Sequence, residues 1–368
     1  MRWPACCLVL LVLLLAGCGG PSRGPDPQVV AALARGVNLA LWPPDGPVDA
    51  VHASHFVTDA ADLARIRALG LRHVRVSLDP RWLADAQLRP REVRVQRLQQ
   101  ELARVRASGL FIVLALQPDS AYKQQLGRDD ALLAATARLW QDIAGRLEDF
   151  GPREIAYELL NEPEIEDPRR VHQLMETLRQ ALREVRPRHS LVVAGPGYSD
   201  PEQLLRLPAF EDPNLIYGFH FYAPKNFTHQ GAPYGWPVWA RLHDLPYPAS
   251  PDAVAALAAS EAEELAGHIR WYGEERWNRE RLAASLAPLQ AWAREHGRVL
   301  WCSEFGVYRY AVRAGHREAW LADVRGLLEA AGIGWTHWDY AGYFGLVRGE
   351  PGARRLDEGA LRALGLTP

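Results

Sequence analysis

Two glutamates stand where their carboxyls could work as a pair. Glu162 lies in the run Leu159-Leu160-Asn161-Glu162-Pro163, and Glu304 in Trp301-Cys302-Ser303-Glu304-Phe305-Gly306. Each follows an apolar, strand-like segment, so each side chain is expected at the carboxyl end of a strand. Two carboxyls facing one another are the apparatus for cleaving a glycosidic bond. One protonates the leaving oxygen while the other attacks the sugar or activates water. A separation of about 5–5.5 Å serves direct attack, and about 6.5–9.5 Å leaves room for water. Spacing along the chain does not choose between them. Asn161 adds an amide that can hydrogen-bond a sugar hydroxyl, and Pro163 stops the strand.

The elements that must position this pair alternate regularly. Strand-like runs fall at 36–40, 73–78, 111–116, 155–160, 191–194, 216–221, 299–302 and 333–338. Helical stretches lie near 58–69, 91–108, 129–149, 168–186, 200–207, 279–296 and 315–331, with a short one near 355–364. This pattern predicts an α/β fold of the (β/α)8 TIM-barrel class in a single domain, with catalytic groups at the strands' carboxyl ends. A long insertion follows strand six and is rich in proline and aromatic residues, including Phe227, Trp236, Trp239, Tyr247, Trp271 and Trp277. Long ordered loops usually carry a function, and this one is expected to roof the cleft.

The N-terminus reads as a processing signal. Arg2 precedes an apolar stretch too short to span a bilayer. Leu15-Ala16-Gly17-Cys18 looks like the lipobox of bacterial lipoproteins. That resemblance implies cleavage before Cys18 and lipidation of its thiol, so that acyl chains hold the protein on a membrane of the cell envelope. Gly19 after the cysteine favours the outer membrane. The expected plan is a signal peptide over 1–17, a flexible tether over 18–30 and the barrel over 31–368.

Composition excludes other classes. The formal charge is −2, with no basic footprint for nucleic acid. Among 42 basic residues only Lys123 and Lys225 are lysines, a skew that reads as genome composition. Cys6 and Cys7 leave with the signal and Cys18 is the anchor, so Cys302 has no partner for a disulfide. Thirteen tryptophans suit stacking on sugar faces and core packing alike.

From Arg35-Gly36-Val37-Asn38 to the last strand, the chain resembles glycoside hydrolase family 5, the cellulase-like retaining enzymes. Five elements in order carry the resemblance: Arg75 on strand two, Asn161-Glu162 after strand four, His220-Phe221-Tyr222 on strand six, Glu304 on strand seven and Trp338 on strand eight. It implies that Glu162 is the acid/base, with a raised pKa, and Glu304 the nucleophile, kept ionised by Arg75 and the Tyr222 hydroxyl. It also implies that Trp338 forms the floor beneath the sugar. His220 and Tyr222 share a strand face by the two-residue period, leaving Phe221 to pack elsewhere. Family members commonly carry histidine at the end of strand three, where this chain has Gln117. Gln117 can still bond a hydroxyl but carries no charge, which bears on the sugar accepted there.

Other candidates are weaker. His52 and His55 could suggest a metal pair, but no further cluster has ligand spacing. No metal or organic cofactor is expected. Cys302 is expected to share the inward face of Glu304 as a packing residue, with no base to activate it. The expected activity is a membrane-anchored, monomeric, retaining endo-β-glycosidase acting on a β-linked, β-1,4-glucan-like polysaccharide. Two alternatives stand: trimming or transglycosylation of an exopolysaccharide exported by the same cell, and glycan binding without turnover.

Overall fold

Eight parallel strands close into a barrel in sequence order, the first hydrogen-bonded to both the second and the last. The computed structural model describes residues 24–41 and 57–367. The strands are β1 (Arg35–Leu39), β2 (His73–Leu78), β3 (Phe111–Leu116), β4 (Ile155–Glu158), β5 (Leu191–Ala194), β6 (Leu215–Phe221), β7 (Val299–Phe305) and β8 (Gly334–His337). Each expected strand is present; β1, β6 and β8 differ from expectation by one residue at an end, and β4 and β7 differ by more. β4 stops at Glu158, leaving Leu159 to Asn161 beyond the sheet, and β7 runs through Glu304 to Phe305.

The reason for closure can be read in β3, whose six residues Phe-Ile-Val-Leu-Ala-Leu are all buried. A parallel strand covered on both faces needs such a continuous apolar run. Phe111 and Val113 join Ala156, Val192, Ile216 and Trp301 inside the barrel, while Ile112, Leu114 and Leu116 belong to the larger core under the helices. The helix Pro168–Val185 shows how the outer layer is held. Asp167 caps it by accepting the Arg169 N–H, Pro168 opens it, and Val171, Leu174, Met175, Leu178 and Leu182 make one buried stripe.

The base of the barrel is closed by the helix Pro27–Ala32, whose Val29 packs with Leu33 into the interior cluster. The tether expected through residue 30 therefore ends earlier. Burial of Val29 outweighs the Gly- and Pro-rich composition around it. The expected signal peptide, Cys18, His52 and His55 lie outside the described residues. Among the described residues no helix is long and apolar enough to cross a membrane.

The insertion after β6 is built rather than bare. It contains the helices Lys225–Thr228, Pro251–Ser260 and Glu263–Glu274, with a 3-10 turn at Pro237–Arg241.

One irregularity decides the site. Phe219 pairs with Cys302 and His220 with Glu304, so Ser303 is an extra residue in β7. Such a bulge re-aims the side chains that follow it. Cys302 joins the outer core with Phe305 and Trp335, whereas Glu304 turns inward to meet Arg75. The shared face expected for Cys302 and Glu304 is therefore absent, because strict alternation fails across Ser303.

Candidate active site

Arg75 on β2 organises the mouth of the barrel, and its side chain is fully buried. Its Nε donates to Glu158 Oε2 at 2.6 Å and its Nη2 to Glu158 Oε1 at 2.8 Å. The remaining donors reach Asn38 Oδ1 at 2.8 Å, Glu304 Oε1 at 2.8 Å and Asn161 Oδ1 at 2.6 Å. All five guanidinium N–H groups thus meet an acceptor, which is what a buried arginine requires. Asn38 in turn donates to the backbone carbonyls of Ser303 at 3.2 Å and His337 at 3.3 Å, tying β1 to β7 and β8.

The two sequence-predicted glutamates come together above this arginine. Glu304 receives the Tyr222 hydroxyl on Oε2 at 3.0 Å in addition to Arg75. Glu162 adopts a left-handed backbone, φ 47°, directly after Asn161. Its Oε1 lies 2.8 Å from His220 Nδ1, which is also 3.5 Å from Glu304 Oε2. A ligand atom from each of Glu162, His220 and Glu304 lies within 4.8 Å of the other two. By distance alone the three could hold a cation, but the Arg75 guanidinium already supplies positive charge to Glu304. Asn161 Nδ2 is buried without a hydrogen-bond partner, leaving a donor beside the pair.

The electrostatics differ from the expected order. Burial presses Glu162 upward, but the hydrogen bond and charge of His220, then Lys123 and Lys225, overcome it and hold the carboxyl at about 2. Burial keeps Glu304 above the ordinary carboxylate value, with His220 and Arg75 opposing and the neighbouring Glu162 and Glu158 adding to it. The contacts of Arg75 and Tyr222 with Glu304 are those the family resemblance implies, but they do not bring its carboxyl down to the ordinary value. What the sequence could not show is that His220 stands between the carboxyls and favours Glu162. The three groups are close enough to share protons.

Both lysines of the chain border this site. Lys123 Nζ is 3.9 Å from Glu162 Oε2, and Lys225 Nζ sits over the Tyr198 ring, 5.6 Å from its centroid. Glu162, Tyr198, Lys225, Trp236 and Trp271 line a cleft of about 490 Å3 under the insertion. Trp338 and Tyr222 both pack against the cluster of Ala232, Tyr308 and Phe344, and the backbone N–H of Trp338 donates to the Phe305 carbonyl at 2.9 Å. Phe221 turns away to pack against Trp320, as the strand period predicts. Gln117 is tied through its side-chain oxygen to the Ser77 hydroxyl on β2.

Sequence reasoning missed Asn38, Glu158 and Lys123 as members of the site. Glu158 had a signal, a carboxylate inside an apolar strand. The lysines had one too, in their rarity.

The cellulase model, glycosyl hydrolase family 5, matches residues 43–343. The chain belongs to glycosyl hydrolase family 5. It is 28% identical over 315 residues to endoglucanase C of Acetivibrio thermocellus, covering 83% of this chain and 90% of that protein. It is 26% identical over 266 residues to endoglucanase 3 of Fibrobacter succinogenes, covering 70% of this chain but 39% of that longer protein. Among solved structures, Thermotoga maritima Cel5A with mannotriose superposes with a TM-score of 0.73 at 20% identity, covering 92% of this chain and all of that one. The cellobiose complex of a mutant Cel5A gives 0.75 at 20% identity, over 93% and 99% of the two chains. At that identity the likeness speaks for the fold of this family 5 member.

Proposed function

We propose that this glycoside hydrolase is a retaining endo-β-glycosidase of β-1,4-glucan-like chains, with Glu162 as acid/base and Glu304 as nucleophile. The observation that carries the reading is the approach of the two carboxyls to within 4.8 Å, oxygen to oxygen. That is the short gap of direct attack rather than the wide gap that admits water. The relatives named as endoglucanases support a β-glucan substrate.

In the productive form the pair's proton sits on Glu162 and the negative charge on Glu304, where Arg75 and Tyr222 stabilise it. His220 Nδ1, 2.8 Å from one carboxyl and 3.5 Å from the other, relays the proton between the two arrangements. Glu304 attacks the anomeric carbon as Glu162 protonates the departing oxygen. The Arg75–Glu304 contact loosens as that charge is consumed. Water, deprotonated by Glu162, then releases the sugar from the Glu304 ester. Asn161 Nδ2 is suited to the 2-hydroxyl, a contact that strengthens as the ring gains positive charge.

A 2-deoxy-2-fluoro cellobioside with a dinitrophenolate leaving group tests the assignment. Mass spectrometry is expected to find the label on Glu304, and a label elsewhere would refute it. Product analysis on β-glucan, mannan and xylan oligomers tests the backbone preference.

The reading includes export and anchorage through a lipid on Cys18, which the lipobox-like run supports. Incorporation of radiolabelled palmitate, lost in Cys18→Ser, is the expected result. Membrane fractions that stay unlabelled would overturn it.

A further inference from the structure

The helix Ser120–Leu126 reaches the mouth of the barrel through one side chain, Lys123, of which 6% is exposed. Its ammonium lies 3.4 Å from Glu164 Oε1 and 3.9 Å from Glu162 Oε2. Ser120 Oγ also donates to Glu164 Oε1 at 2.7 Å, fastening the helix to the loop that carries Glu162. Elsewhere the chain uses arginine almost without exception, with two lysines among 42 basic residues. Arginine would present a planar fork of donors that clamps a carboxylate, whereas an ammonium is a point charge that attracts without fixing the geometry.

We propose that Lys123 is a positioning residue for the acid/base, holding Glu162 by charge while leaving it free to give up and regain its proton. This rests on the reading of Glu162 given above. The other titratable groups around Glu162 are His220 and Tyr222 from β6, Glu304 from β7, Lys225 and His229 from the insertion, and Tyr198 from the turn after β5. His220 touches Glu162 directly, but it also faces Glu304. Lys123 pairs with Glu162 and Glu164, and its charge also reaches Asp119 at the start of its own helix, whereas Glu304 is influenced by His220 and Arg75. Its charge therefore acts on one member of the catalytic pair. A positive charge at this distance favours loss of the proton, so removing it makes the proton harder to lose.

The test compares wild type, Lys123→Met and the double variant Lys123→Met/Glu164→Gln, which leaves no unpaired buried carboxylate. On cellopentaose, whose leaving sugar needs a proton, the basic limb of kcat/KM is expected to move up by about half to one pH unit in Lys123→Met, and by less in the double variant, which also removes the negative charge of Glu164. Lys123→Arg restores the charge and is expected to return the limb. On a 2,4-dinitrophenyl cellobioside, whose leaving group needs no proton, the limb is expected to stay in place. A uniform loss of rate at every pH, with unmoved limbs, would overturn the proposal and leave Lys123 as a mere partner of Glu164. Full cellopentaose activity in Glu162→Gln would remove the underlying reading and this inference with it. Loss in Glu162→Gln together with unmoved limbs in the Lys123 variants would remove this inference alone.

Discussion

Arg75 grips Glu158 with two parallel hydrogen bonds, 2.6 and 2.8 Å long, in the buried interior of the barrel mouth. Glu158 is not one of the two carboxyls that face the cleft. It sets the plane of the guanidinium, so that the remaining donors point at Asn38, Asn161 and Glu304. The orientation of the nucleophile is thus decided one layer below it.

Replacing Arg75 by methionine would leave Glu158 and Glu304 buried without their cation. A loss of about 3–5 kcal/mol is expected in denaturant unfolding. Arg75→Lys keeps the charge but cannot reproduce five directed donors. Its expected signature is a kcat lowered at least about 100-fold, with a milder stability cost than methionine.

Gly306 follows β7, and a Cβ there would stand 2.3 Å from the Trp338 carbonyl oxygen. Gly306→Ala must therefore push the Trp338 backbone aside and move its ring. The expected cost is about 1–3 kcal/mol in stability. Activity on oligosaccharides should fall more than the stability loss explains, measured well below the melting temperature.

His73 and His337 are held neutral inside the fold. Burial lowers each from 6.5 to about 3, for His73 against its bond to the Ala32 carbonyl and for His337 with the Arg317 charge assisting burial. In the unfolded chain both take up protons near 6.5, so the unfolded state binds more protons as pH falls. Stability is fully present above pH 6.5 and is lost between there and about 3, at about 1.4 kcal/mol per pH unit per histidine. Guanidinium unfolding at a series of pH values checks this. His73→Gln should remove one histidine's share of the slope.

Cys302 sits behind the bulge in the outer core, where burial pushes its thiol well above the usual value. Native protein treated with iodoacetamide at neutral pH is expected to leave Cys302 unmodified, and denaturant should expose it. Peptide mapping reads both states. Cys302→Ala should keep its activity and cost about 1–2 kcal/mol through the lost sulfur contacts.

The barrel and the pair at its mouth could be read from the chain because their signals are local. Apolar runs such as 111–116 and the amphipathic stripe of 168–186 each announce their own element, and Glu162 and Glu304 end or lie in such runs. The tether was misjudged where composition competed with burial, since Val29 finds its pocket only once the barrel exists.

What tertiary structure alone decided is the relation between groups far apart in sequence. The extra residue at Ser303 reversed the facing of Cys302, a consequence of register between β6 and β7 that no period along one strand contains. The placing of His220 between both carboxyls, and of Lys123 against Glu162, reversed the expected order of their proton affinities. The amino-acid order determined which residues fall at the carboxyl ends of the strands, where the barrel mouth forms. Their charges depend on distances of a few ångströms and on exclusion of water, and those quantities exist only when the eight strands have closed.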